Sequence, residues 1–277
     1  VVINPVVYLI SGAGFKLYNK VIRRKFMTVK LTAIVLTHND ETIISRCLSS
    51  LRFTDEIIVI DDQSNDRTTA IAKKAGVIKI YRHALNGDFA ATRNFGLSHA
   101  TGDWVLFIDS DESVSEALAK EILDAINHPA VNGFYLKRRD YLFGQVLRHG
   151  ETGNLRLLRL ARKGTGLFSR PVHEIWQVSG LTGTLQNSLD HFPHPTLTEF
   201  IFEINHYSTL NADYLAKNGV KTNFFQIIGY PLGKFVQNYF WRSGYRDGIP
   251  GLLVAVLMSF HSFLTRGKLF LLNRKHG

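Results

Sequence analysis

Trp104-Val105-Leu106-Phe107-Ile108-Asp109-Ser110-Asp111-Glu112 is the stretch on which the fold turns. Five apolar residues run without a break and stop at a polar cluster. A strand wetted on one face alternates apolar with polar, whereas a strand covered on both faces reads as a continuous apolar run, as in a parallel sheet. Ser113 followed by Glu116 reads as a capping box that opens a helix to about Asn127.

Working outward, the same unit recurs upstream. Leu31–Thr37 (LTAIVLT) ends in His38-Asn39-Asp40-Glu41, and a helical pattern through Ile43, Ile44, Cys47, Leu48 and Leu51 follows. Glu56–Ile60 (EIIVI) ends in Asp61-Asp62-Gln63-Ser64-Asn65-Asp66, and a helix follows to about Ala75. Val77–Tyr81 reads as a third strand and Phe89–His99 as a helix. Strands alternating with helices imply βαβ units and an α/β fold with a mostly parallel sheet flanked by helices. In that architecture ligands bind beyond the carboxyl ends of the strands. Three of the four strand ends carry dense polar clusters, at 37–41, 61–66 and 109–112. Downstream, Phe134–Arg138, Leu155–Leu160, Val172–Val178 and Thr182–Leu189 read as shorter strands, and from about Thr196 the chain reads as helical. This divides it into a lead (1–30), a core (31–195, in halves 31–128 and 129–195) and a helical region (196–277), with a further soft boundary near 230.

Composition excludes several classes. At 277 residues and 45% hydrophobic content the chain can bury a sizeable core, so disorder is excluded, and no repeat period is present. One cysteine, Cys47, excludes a disulfide framework and fits a reducing compartment. The net charge of +10 sits at the ends: 1–30 hold six Lys/Arg and no acid, 230–277 hold seven and one acid, and the middle carries 20 bases against 22 acids. Both ends are also apolar, and basic plus apolar suits an anionic membrane surface. A nucleic-acid binder would carry its bases on the folded body, so no nucleic-acid partner is expected. Gly248–Thr265 contains no Asp, Glu, Lys or Arg, but Pro250, Gly251 and His261 shorten its usable helix, which favours a monotopic or re-entrant segment over a span. The lead has its bases after its apolar stretch, the reverse of a signal peptide; it reads as membrane-facing, as truncated, or as lying upstream of a start at Met27.

The rim clusters carry the chemistry. Asp109 and Asp111, one residue apart past a strand, can serve one divalent cation and an adjacent hydroxyl; hard oxygen ligands suit Mg²⁺ or Mn²⁺. Helix capping accounts for one of these acids but not both. Asp61 and Asp62 can accept hydrogen bonds from a base or a ribose, or can simply build a turn. In Asn86-Gly87-Asp88 followed by Ala90-Ala91-x-Arg93-Asn94, Gly87 permits a tight backbone and Arg93 can reach a phosphate or hold the carboxylates in place. Lys137-Arg138-Arg139 with Arg156 and Arg159 form a basic group that would suit an anionic acceptor.

Leu36-Thr37-His38-Asn39, Ile60-Asp61-Asp62-Gln63-Ser64-x-Asp66, Ala91-x-Arg93-Asn94-x-Gly96 and Asp109-Ser110-Asp111, in this order and spacing over 31–128, closely resemble glycosyltransferase family 2, whose fold is the GT-A nucleotide-sugar-binding fold. Leu155-Arg156-Leu157, Val172-His173-Glu174, Leu189-Asp190-His191 and Gly244-Tyr245-Arg246-Asp247-Gly248 resemble the bacterial subgroup that adds glucose or a related sugar to the lipopolysaccharide inner core.

The resemblance implies roles. Asp61 would bind the nucleobase beside Thr37, with His38, Asn39 and Asp62 in the same nucleotide-sugar pocket. Asp109 and Ser110 would serve the ribose or metal side, Asp111 would ligate Mg²⁺ or Mn²⁺, and Arg93 would lie near the diphosphate. Glu174 is the expected general base, with His173 orienting it or touching the acceptor and Asp190 in reserve. His191 is a candidate third metal ligand, or a structural histidine. The activity implied is inverting transfer of a hexose, glucose from UDP-glucose being favoured, to a lipid-linked saccharide such as the lipopolysaccharide core. It would take place at the cytoplasmic face of the inner membrane on a peripheral or monotopic protein. A polyprenyl-phosphate acceptor, and a non-catalytic nucleotide-sugar binder, are the alternatives.

Overall fold

The computed structural model describes residues 29–153, 155–172, 174–193 and 196–275; residues 1–28 of the expected basic lead, and His173, lie outside them. Four βα steps come first. β1 (Leu31–Thr37) leads to α1 (Ile44–Ser50), β2 (Glu56–Asp61) to α2 (Thr68–Lys74), β3 (Lys79–Arg82) to α3 (Phe89–His99), and β4 (Trp104–Asp109), after the short β5 (Glu112–Ser113), to α4 (Glu116–Ala125). β3, β2, β1 and β4 are parallel neighbours in that order. The unbroken apolar runs arise because these strands are buried on both faces. One cluster joins Val35, Val59 and Leu106 to Ile44, Leu48 and Leu118, and a second joins Ile34, Ile58 and Phe107 to Ala90 and Leu97. Burying a side chain such as Phe107 or Ile34 contributes about 1.5–3 kcal/mol.

Beyond β4 the sheet becomes mixed. β6 (Gly133–Leu142), β7 (Gln145–Leu147), β8 (Arg156–Arg162) and β11 (Thr182–His191) extend it, with β8 antiparallel to both β4 and β6, and β11 parallel to β6. β9 (Gly166–Ser169) and β10 (Ile175–Val178) form a separate two-stranded ribbon. Because β8 runs against β4, its first residues reach the rim where the parallel strands end. The cap of α4 differs from expectation. Ser115, whose side chain accepts from Leu118 N, is the N-cap, and Ser113 instead pairs with Asp190 in the sheet. Glu112 is fully buried and accepts from the Asp109 backbone N–H.

The C-terminal region is three helices: α5 (Leu197–Lys217), α6 (Phe224–Val236) and α7 (Gly248–Lys275). A π-helical turn (Gln237–Trp241) and a 3-10 turn (Gly244–Asp247) join the last two. Pro250 and Gly251 do not shorten α7 as expected. Pro250 lies in the first turn, where its missing N–H has no helical partner to lose. Gly251 lets the 3-10 turn come close, since a Cβ there would meet Gly244 O at 2.0 Å. Asp247, in that turn, accepts from the backbone N–H of Arg148 and His149 and ties it to the β6–β7 hairpin.

Candidate active site

Strand register brings the polar clusters together. Thr37 is paired with Asp61 across β1–β2, and Leu36 with Asp109 across β1–β4. Asp61 and Asp109 therefore end strands two spacings apart, about 10 Å. The loop after β1 is knitted to both neighbours. Asp40 accepts from Thr37 Oγ1 (2.7 Å), His38 N (2.9 Å) and Ser110 Oγ (2.5 Å). Asn39 and Gln63 have φ of 54° and 55°, the left-handed region that asparagine tolerates better than most residues. Asn39 N donates to Ser64 Oγ, while the Asn39 side-chain oxygen accepts from Asn65 N. Asp61 is buried and accepts from Ser64 N at 3.2 Å. Asp62 Oδ1 accepts from Leu85 N, and its backbone oxygen lies 2.5 Å from His38 Nδ1. Thr37, His38, Asn39, Asp61, Asp62 and Ser110 thus share one rim.

The α3 motif divides its labour by direction. Asn94 bonds both ways to the Phe168 backbone and pins the ribbon. Gly96 faces the sheet, where a Cβ would meet Ile34 Cγ2 at 2.9 Å. Arg93, 3% exposed, turns to the rim: its Nη2 donates to Asp109 Oδ1 (2.9 Å) and its Nε to Glu174 Oε1 (2.8 Å). Its Nη1 is buried without a partner among the described residues. Of the two uses open to Arg93 in the sequence, holding carboxylates is the one the geometry displays. Arg159, from β8, grips the same acid through Nη2–Oδ2 (2.5 Å) and lies 3.5 Å from Glu112 Oε1. Burial alone would push Asp109 up, but the two guanidinium charges outweigh it and hold its carboxyl well below the usual carboxylate range. Burial pushes Glu112 up, partly offset by Arg159. The Cys47 thiol, 3.5 Å from the Asp109 backbone oxygen, is likewise raised by burial and then by the surrounding acids, so it stays a buried thiol behind the site.

The last part of the rim comes from β6 and β11. His191 is registered with Asp140 and Asp190 with Arg139, on opposite faces of the pleat. His191 Nδ1 lies 2.5 Å from Asp140 Oδ1, and its Nε2 lies 3.1 Å from Asp111 Oδ2. Burial would lower its pKa, but Asp111 and Asp140 together push it up to about 9. Asp190 pairs instead with Arg139 (2.7 Å) and does not join Glu174. The same alternation dissolves the basic group expected at 137–139: Lys137 donates to Gln186, Arg138 pairs with Asp140 and Arg139 with Asp190, while Arg159 is inside the site.

A further side of the site went unread in the sequence. α5 lies across the rim, with the Tyr207 ring 6.0 Å from Phe89 and Leu210 against Gly87. Burial, then Glu203, Asp109, Asp111 and Glu174, raise the Tyr207 hydroxyl. Burial raises Glu203, offset by His206, with Asp111, Asp40 and His38 also within electrostatic reach. The i, i+4 spacing of Glu203 and Tyr207 was the available signal, masked by the apolar character of the whole C-terminal region.

Divalent-metal chemistry can be tested against these donors. Asp109 has both oxygens on arginines, and among the described residues no group of three or more His, Cys, Asp or Glu has a metal-binding arrangement. Asp111 and His191 are the adjacent pair that would hold an ion, which His191 can do only after giving up the proton that Asp111 and Asp140 stabilise. Asp109, expected as a metal ligand beside Asp111, is committed to the two arginines.

A carboxylate-rich rim at the ends of a β3-β2-β1-β4 parallel sheet, completed by a mixed second half, is the architecture the glycosyltransferase resemblance leads one to expect. Comparison with known proteins gives the family: the model for "Glycosyl transferase family 2" matches residues 32–176, and the chain belongs to that family, with the GT-A fold. It is 30% identical over 249 residues to the lipopolysaccharide core biosynthesis glycosyltransferase LpsC of Rhizobium meliloti, covering 87% of this chain and 92% of that one. An uncharacterised glycosyltransferase of Rickettsia conorii is 27% identical, covering 88% and 91%. Among solved structures, S. aureus TarS 1-349 in complex with UDP-GlcNAc is similar with a TM-score of 0.49 and 17% identity, covering 89% and 91%.

Proposed function

We propose that the protein transfers a hexose, with inversion, from a UDP donor to a lipid-linked saccharide of the lipopolysaccharide core type, and that glucose is the sugar. The observation that carries the reading is the Asp109–Arg93–Glu174 chain, which fixes a carboxylate beside the nucleotide-sugar rim. Glu174 uses Oε1 on Arg93, and no described residue bonds its other oxygen. In the reaction the acceptor hydroxyl oxygen bonds to the anomeric carbon and the bond from that carbon to the diphosphate oxygen breaks. The hydroxyl proton passes to Glu174, and UDP leaves with the electron pair. Asp61 and Asp62, with Thr37, His38 and Asn39, would hold the nucleoside. An acidic rim repels a diphosphate, which supports a divalent cation, Mg²⁺ or Mn²⁺, at Asp111 and His191; when bound it would offset charge developing on the leaving group. The core-type acceptor is supported by the similarity to LpsC over most of both chains. It would place the enzyme at the cytoplasmic face of the inner membrane.

The test is UDP release from a panel of UDP-sugars, with and without truncated lipopolysaccharide core, for wild type, Asp111→Ala and Glu174→Gln. The expected result is UDP-glucose turnover that needs the core acceptor. Asp111→Ala should lose the metal-stimulated rate, and Glu174→Gln should fall by roughly 10²–10⁴ in kcat while still binding UDP. Undiminished turnover in Asp111→Ala would remove the metal role, and turnover with another donor alone would replace the sugar.

A further inference from the structure

α6 exposes Phe225, Ile228, Leu232 and Val236, a 3-4-4 spacing that keeps one line along a helix. The turns that follow add Phe240 and Trp241, the latter 87% exposed. α7 exposes Ile249, Leu252, Val256, Phe260 and Phe263, a 3-4-4-3 spacing that again holds one line. The two helices are joined side by side: Ser259 Oγ donates to Pro231 O (2.7 Å), and the Arg266 guanidinium lies 4.1 Å over the Tyr230 ring. An open groove of about 890 Å³ lies along α6, lined by Phe225, Leu232, Val236 and Trp241 and reaching Ser262, the neighbour of Phe263. The stripes therefore border one apolar surface.

Charge says what covers it. Between Val220 and Lys275 the sole acid is Asp247, which is buried and bonded to the β6–β7 hairpin. Lys221, Arg242, Arg246 and Arg274 are exposed. A second copy of the chain would bring these cations against each other with no exposed acid to meet them. An anionic lipid surface supplies both the apolar layer and the opposite charge.

The opposite side of α7 decides how it lies. Gly244–Arg274 is long and apolar enough to cross a bilayer, with a mean hydropathy of 1.6. Yet Val254 and Leu257 pack with Leu142, Leu147, Phe200 and Ile204. Lys268 Nζ donates to Asn205 O and Oδ1, Ser208 Oγ and Thr209 Oγ1, at 2.7–2.9 Å. A crossing would strip that packing and carry Lys268 into hydrocarbon. We infer that α6, the two turns and the outer face of α7 form a two-helix platform that lies in the plane of an anionic membrane leaflet, with α7 embedded along its length and not crossing. This deepens the membrane part of the proposed function, and its readout does not depend on any transfer reaction.

Tryptophan fluorescence tests it directly. Of the three tryptophans, Trp104 and Trp176 are buried and Trp241 is exposed, so lipid-dependent changes report on the platform and not on the N-terminal lead. Full-length protein is mixed with vesicles of phosphatidylcholine alone or with phosphatidylglycerol. The expected result is a blue shift of Trp241 emission with the anionic vesicles. Quenching should be stronger by lipids brominated high on the acyl chain than by those brominated near its methyl end, matching a depth of roughly 5–10 Å. Phe225→Glu combined with Leu232→Glu, both on exposed positions, should lower vesicle partitioning at least tenfold. A Trp241→Phe, Val256→Trp variant reads the middle of α7 and should be quenched at the same shallow depth. No blue shift on anionic vesicles overturns the proposal, as does equal partitioning of the double variant. Deep quenching at position 256, which a spanning helix would give, also overturns it.

Discussion

Replacing Arg159 with methionine is the most informative single change at the rim. The guanidinium is 9% exposed, donates to Asp109 Oδ2 at 2.5 Å and lies 3.5 Å from Glu112 Oε1. Methionine fills much of the volume but leaves two acids behind. Asp109 keeps Arg93, so it retains one partner. Glu112 fares worse: it is fully buried, and its Oε1 has no hydrogen bond of its own among the described residues. Removing one member of a buried ion pair costs about 3–5 kcal/mol. At about 2–4 °C per kcal/mol for a domain of this size, the melting temperature should fall by roughly 6–20 °C. Arg159→Lys keeps the charge but loses the planar fork on Asp109, and should fall between the two. Adding Glu112→Gln to Arg159→Met removes the stranded acid and should recover about 1–2 kcal/mol, a non-additive result that distant sites would not give. Thermal denaturation at pH 7, followed by circular dichroism, reads all four proteins. If Arg159→Met melts within about 2 °C of wild type, the acid pair is not held as described and the reasoning fails.

Two further outcomes follow from groups outside the reaction. Glu56 opens β2 and accepts from Lys79, Thr32 Oγ1 (2.6 Å) and Thr101 N (2.8 Å); burial raises it, but these bonds bring its pKa down to about 2. A folded-state pKa below the unfolded one means stabilisation present above about pH 4.5 and lost as pH falls towards 2. Glu56→Gln should therefore cost about 2 kcal/mol at pH 7 and flatten the acid limb of a melting-temperature profile; an unchanged limb would contradict it. Lys268→Met should loosen α7 from α5 by about 1–3 kcal/mol, seen as faster tryptic cleavage of the C-terminal helices; equal protection would show that the four oxygens around Nζ contribute little.

The parts of the fold legible in the sequence are those whose cause is local. β1, β2 and β4 read correctly because burial on both faces writes itself as an unbroken apolar run, and the polar residues at their ends mark the rim. β3 begins two residues later than expected, at Lys79, since it is an edge strand whose neighbour Ile78 is almost fully exposed. β5, β7 and β9 are too short to carry a period. The Ser113 reading fails for the opposite reason: the local cap pattern is present, but pairing with Asp190 claims the residue first. In the site, Arg93 was visible from its motif, while Arg159 was read only as part of a basic group, because nothing in the strand Arg-Leu-Leu-Arg-Leu-Ala-Arg says which carboxylate fifty residues away it will meet.

α5 resists a reading by segments because it belongs to two structures at once. Over its 21 residues, about 31 Å of axis, Phe200 and Ile204 pack on the hairpin and α7, and the Tyr207 ring lies beside Phe89 at the start of α3. Asn205, Ser208 and Thr209 hold Lys268, and Tyr214 lies under the Arg170 guanidinium. Successive turns of this one helix thus meet different neighbours, while Ile201 and Phe202 stay exposed, so no single apolar stripe marks its role in the sequence. Asn205, Ser208 and Thr209, which hold Lys268, bracket Tyr207 in sequence, so α7 is tied to the same turn of α5 that carries that ring.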